Sequence, residues 1–163
     1  MASTQTWSEF NGVGSTETGS RTDVNWKNID DSTSAYTAYP ITAGNNSYGK
    51  YQALKFGGSW NTLSSFTYKI DNNAPATGQS IVGAVVTSYT QPATTATGDG
   101  SMSTSGASAN FVSSSSAFGT GTSTASGGGT MYAQALRTQL QTTTSSAPGD
   151  TGTRTITAAW TES

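Results

Sequence analysis

KYQALKFGG, residues 50–58, alternates Gln52, Leu54 and Phe56 against Tyr51, Ala53 and Lys55, and stops at a glycine pair. Successive side chains of a strand point to opposite faces, so this period of two predicts a strand with a core face and a wetter face. Leu54 and Phe56 are expected to point into the core. Phe66, Tyr68 and Ile70 repeat the pattern within 61–73, and Arg154, Ile156, Ala158 and Trp160 repeat it within 153–163. A chain that carries this period at several separated places is committed to sheets.

TQTWSEF (4–10) predicts a first strand, and residues 1–23 as a whole read as an extended or flexible arm. VNWKNID (24–30) predicts a short strand with Val24, Trp26 and Asn28 on one side. Ile81, Val82, Val85 and Val86 make 79–92 a buried strand, because β-branched residues suit a pleated surface. Tyr132, Leu136 and Leu140 lie four apart, which fits one helix face or one strand face equally. The β-favouring TTT that follows decides for a strand over 130–144. With 153–163 it would form a hairpin closed by a turn at Pro148-Gly149-Asp150. Residues 90–130 are almost wholly Thr, Ser, Gly and Ala. A short strand near Asn110–Ser114 and a flexible glycine-rich stretch near 119–129 are expected there. About eight short strands result, the pattern of a single-domain, all-β antiparallel sandwich over 1–163, jelly-roll-like in outline.

Composition limits the partners. Charged residues are 10% of the chain, while Ser and Thr together fill about a third of it. The net charge is −2, and 4 Trp, 7 Tyr and 5 Phe are available for a core, so the chain is expected to fold rather than stay disordered. Seven scattered basic residues argue against nucleic acid. No apolar run reaches the length of a membrane span, and no signal-peptide pattern opens the chain. There is no Cys and no His, which removes disulfides, thiolate nucleophiles, Ser-His-Asp chemistry and most transition-metal sites.

TWSEFNG near the start, YPITAGNNSYGKYQALKFGG in the middle and LQTTTSSAPGDTGTRTITAAWTES at the end resemble a family of virion structural proteins of tailed bacteriophages, the head decoration or cement proteins. The resemblance covers about half of the chain. Gly49 stands where an acidic residue is common in that pattern. It implies a β-sandwich on a capsid surface, often a homotrimer, that binds the major capsid protein and reinforces the head. It implies a virion location after synthesis in the host cytoplasm, and no enzymatic activity or cofactor.

Several residues carry site expectations. Glu9 and Glu162, in the similar settings WSEF and WTES, are either a carboxylate pair of the glycosidase kind or polar contacts at terminal strands. Asp30-Asp31, Asp71-Asn72-Asn73 and TGDGS (97–101) offer oxygen ligands but lack the spacing of a dedicated calcium loop, and read as turn chemistry. Tyr36, Tyr39, Tyr48 and Tyr51 surround the loop at 39–49. Tyrosine there can cap a core, meet a protein neighbour or stack on a sugar. A tail-fibre or carbohydrate-binding module is therefore the alternative to decoration. In either role, Tyr36, Tyr39, Tyr48, Tyr51, Glu9 and Glu162 are the candidate contacts with other subunits or the capsid.

Overall fold

A computed structural model describes residues 2–95, 98–113, 115–147 and 152–163. Among these residues the architecture is all-β, with eleven antiparallel strands in two sheets. The larger sheet has the order β2 (Thr16–Thr18), β1 (Ser3–Asn11), β3 (Lys50–Gly58), β10 (Ala135–Thr142), β5 (Gln79–Val86). Strand β9 (Met131–Ala133) also pairs β3, and β7 (Phe111–Val112) pairs β9. In the smaller sheet β4 (Thr62–Ile70) is flanked by β11 (Ile156–Glu162) on one side and by β6 (Ala107–Ser108) and β8 (Thr124–Ser126) on the other.

The alternation that predicted the strands is what builds the core. Leu54 and Phe56 of β3 meet Leu63, Phe66, Tyr68 and Ile70 of β4, together with Ile81, Leu136 and Phe111. Phe56 is fully buried, and its ring meets those of Trp60, Phe66, Phe111 and Trp160 edge-on at 5.3 to 6.4 Å. That geometry sets the positive rim of one ring on the negative face of the next. The expected wetter face of β3 is not wet. Tyr51 and Ala53 are buried with Phe10, Tyr132 and Ala135 beneath Tyr89, Ala117 and Phe118, so β3 is covered on both sides.

Two parity shifts make this packing possible. Ser65 has φ 57°, and β4 there carries one residue more than β11 opposite it. Both Leu63 and Phe66, an odd number apart, therefore face the core. The second shift falls at Gln134, between β9 and β10. Its backbone N–H donates to Asn110 O, its side-chain oxygen accepts from Asn110 N–H, and its amide nitrogen donates to Gly119 and Thr120 carbonyls. Tyr132 thus joins the outer cluster while Leu136 and Leu140 join the inner one, and the single face expected for the three is corrected.

Other expectations are corrected as well. Residues 24–30 form no strand: Asn25 has φ 46°, and the buried residue is Lys27, not its neighbours. Segments 130–144 and 153–163 do not pair, because β10 takes β3 and β5 as partners while β11 takes β4 in the facing sheet. The turn expected at 148–150 lies outside the described residues. Residues 3–11 are extended but paired along their length with β3, not a free arm. The glycine-rich stretch is tied down by the Phe111–Thr122 bridge and by β8 on β4. Gly121 permits that bridge: its φ is +62°, and a Cβ there would lie 2.3 Å from Phe111 O.

Phe56→Ala should cost about 3–5 kcal/mol of unfolding free energy in urea titrations, as expected for deletion of a core aromatic ring. Val13→Ala, at the exposed tip of the β1–β2 turn, should stay within about 0.5 kcal/mol of wild type.

Candidate recognition surface

The inner face of β3 changes character along its length. After Phe56 and Leu54 come Gln52 and Lys50, and opposite Gln52 on β1 sits Glu9. Residues 21–48 close over this polar end. Gln52 donates its side-chain amide to Asp23 O at 2.9 Å, and the Trp26 indole donates to Thr138 Oγ1 at 3.1 Å. Two backbone contacts pull the segment into shape: Asn28 N–H donates to Tyr39 O, and Tyr48 N–H donates to Lys27 O, both at 2.9 Å.

Charges lock the closure. Lys50 is 1% exposed and lies 3.3 Å from Glu9 Oε1, while also donating to Asp31 O at 2.6 Å. Lys27, 0% exposed, pairs with Asp31 at 2.6 Å and donates to Ser34 O. Asp31 Oδ1 further accepts from the amides of Thr33 and Ser34, and Oδ2 accepts from the Ser34 hydroxyl. Arg21 lies 4.0 Å from Glu9 Oε2 and pairs with Asp23, which also accepts from Asn25.

Burial pushes the Glu9 carboxyl up and the Lys50 ammonium down, and their mutual attraction only partly offsets it. Asp31 behaves oppositely. Burial raises it, but Lys27, the Ser34 hydroxyl and the Ser34 amide outweigh this and hold it well below the ordinary aspartate range.

On this cover sit the exposed tyrosines. Tyr36 opens a single 3-10 turn, Tyr36–Ala38, and Tyr39 ends it; they are 48% and 39% exposed. Below them runs a groove of about 880 Å³ between the cover, the ends of β5 and β10, and the chain that leads into β11. Trp26, Tyr36, Pro40 and Ile41 supply its apolar wall, and Asp23, Asn25, Gln79 and Arg154 supply polar groups. An aromatic wall with a few directional polar groups is suited to holding a flat or extended partner.

The expected site residues thus divide. Tyr36 and Tyr39 stand together at the surface. Tyr48 is half-buried beside Lys27, and Tyr51 is a core-capping residue 4.9 Å from the Tyr89 ring. Glu9 and Glu162 are not brought together. Glu162 accepts from the Ser3 amide and hydroxyl at the start of β1, and Glu9 lies six residues further along that strand. At ~3.3 Å per residue this is roughly 20 Å, beyond the reach of a glycosidase pair.

The acidic runs divide. Asp31 and Asn72 do the expected turn work on the amides of Thr33, Ser34 and Ala74, whereas Asp30 accepts from Gly12 N–H and Asn73 donates to Met102 O, both distant in sequence. Asp99 makes a two-pronged contact with Arg137. Among the described residues no three acidic side chains gather into a metal-binding group. Lys27, Lys50 and Trp26 had no place among the sequence-derived candidates. The usable signal was that lysines are scarce, and two of them flank the segment at 27 and 50. No family model, curated protein or solved structure matches this chain.

Lys50→Met should cost about 3–5 kcal/mol, because it strands the Glu9 carboxylate; Glu9→Leu with Lys50→Met should cost less than Lys50→Met alone. Urea midpoints of the three variants check this. The lowered Asp31 pKa stabilises the fold at pH values above the unfolded-state pKa of about 4, and this contribution is lost as pH falls below it. Asp31→Asn should therefore cost about 1.5–3 kcal/mol at neutral pH and flatten the acid limb of the stability profile.

Proposed function

We propose that this protein is a non-enzymatic virion structural protein that decorates a tailed-phage capsid, and that the tyrosine-bearing cover is the surface that meets the major capsid protein. The observation that carries the reading is the placement of Tyr36 and Tyr39. Among the described residues they are the two large aromatic side chains left exposed, on a segment that buried charges hold in place, whereas the other exposed large apolar residue there, Val13, lies on a turn tip. Tyrosine combines a large apolar area with a polar tip and is enriched at protein contacts. The segments that resemble decoration proteins support the same reading, because YPITAGNNSYGKY runs through this cover.

A low-charge surface of Ser and Thr helps such contacts. Hydroxyl groups cost far less to dehydrate than ions, so a broad patch can be covered without strong charge pairing. The second reading is a carbohydrate-binding module, and the groove favours it. Trp26 and Tyr36 offer ring faces beside Asp23, Asn25 and Arg154, a combination that suits sugar hydroxyls.

Quantitative mass spectrometry of purified virions is the test of the first reading. Copy numbers commensurate with the capsid subunits are expected, and absence from the particle would end it. Tyr36→Ala with Tyr39→Ala should weaken capsid binding by about 30-fold or more, the scale of an interface hot spot of ~2 kcal/mol, with the unfolding midpoint unchanged. A glycan array separates the readings: signal that disappears in Tyr36→Ala would favour the sugar.

A further inference from the structure

Strand β11 is the one long sheet edge among the described residues that nothing covers. Edge β2 has three residues, β6 two and β8 three. Where β1 runs beyond β2, its edge is capped: Ser3 N–H donates to Glu162, Ser3 O accepts from the Gln5 side chain, and Trp7 O accepts from Arg21 N–H. The outer edge of β5 is occupied, since Gly83 N–H donates to Gly100 O and Met102 N–H to Ile81 O. The far half of β10 is occupied by Gly44 and Ser47. Strand β11 runs for seven residues, and β4 is its only strand partner.

The direction of its free groups follows from the ladder. Thr155 O accepts from Asp71 N–H, and Ser163 exchanges bonds with Thr62, so the odd-numbered residues address β4. Alternation in an antiparallel pair then turns the N–H and C=O groups of Ile156, Ala158, Trp160 and Glu162 outward. The usual edge protections are missing. The strand has no Pro and no Lys, and its one charge, Glu162, is at its end and engaged by Ser3. Ile156, Ala158 and Trp160 face the core yet are only half-buried, because no strand flanks them.

We propose that β11 pairs with the β11 of a second copy, antiparallel across a two-fold axis at Ala159, to join the two smaller sheets into one. The sequence is self-complementary in this register. Ile156 faces Glu162, Thr157 faces Thr161 and Ala158 faces Trp160, so no like charges meet and the four outward-bonding residues of each strand oppose one another. The exposed side carries Thr157, Ala159 and Thr161, which are small and uncharged, and directly opposed threonines are a favourable cross-strand pair. Self-pairing is an isologous contact that closes at two copies. It therefore assigns a dimer, where the resemblance to decoration proteins implies a trimer. The inference is independent of what the tyrosine surface binds.

The test places charge on Thr157 and Thr161, which share the exposed face with their β4 partners Lys69 and Ser64, so the unfolding midpoint of each variant is measured beside its assembly state. Sedimentation equilibrium of the full chain should show a dimer. Thr157→Lys with Thr161→Lys should give monomers, as should Thr157→Glu with Thr161→Glu, each with an unchanged circular dichroism spectrum. An equimolar mixture of the two variants should restore the dimer, because opposite charges then face each other. In the dimer, the amides of Ile156, Ala158, Trp160 and Glu162 should gain hydrogen-exchange protection that the monomeric variants lack. A monomeric wild type, a trimer, or a dimer indifferent to both charge sets would overturn the proposal, as would failure of the mixture to re-form dimers.

Discussion

An ammonium group leaves water at great cost unless partners replace the water, and this chain buries two of them side by side in the fold. Lys50 stands where the inner face of β3 runs out of the smaller sheet's cover, and Lys27 comes down on it from the segment above. Glu9, Asp31 and the carbonyls of Asp31 and Ser34 satisfy them. An irregular segment with no strand and a single short 3-10 turn is thereby given a fixed place. Hydrophobic burial alone offers it Trp26 and Ile41, and these two side chains extend the core beneath it.

The function proposed for the protein depends on that fixed place. Tyr36 and Tyr39 lie on a single short turn, an element too small to hold its own shape. Mounted on free chain, they would lose side-chain and backbone freedom on every encounter with a partner. Mounted on a segment held by buried charges, backbone bonds to Tyr39 and Tyr48, and the Trp26 indole, they are presented already ordered. The same logic gives the groove its shape, since one wall is the cover and the other is the end of the rigid sheet.

The sequence made the long strands legible because β3, β4 and β11 each carry an unbroken or once-broken period of two, and β5 lies within the segment marked by its β-branched residues. What it hid was everything decided by contact. Strand β2 and the short β6 and β8 are Thr- and Ser-rich, with no periodic apolar signal, and exist because a neighbour's edge needs bonds. The parity shifts at Ser65 and Gln134 break the pattern by one residue, so a face assignment carried across Gln134 fails for Tyr132. In 24–30 the alternation of Val24 and Trp26 imitated a strand, while a lysine, the residue type least expected inside, was the one buried. The site followed the same rule. Exposed Tyr36 and Tyr39 stood out as tyrosines in a turn-rich loop, but the lysine that anchors their segment meets Glu9 41 positions away and Asp31 O 19 positions away, relations that no local pattern encodes.

Native-state hydrogen exchange on residues 21–48 tests the account most directly. If buried charges hold the cover, the amides of Asn28, Ser34 and Tyr48 will exchange slowly and together, with protection close to that of β3 and β10. Exchange of these three amides at rates of open chain, while the strands stay protected, would contradict it.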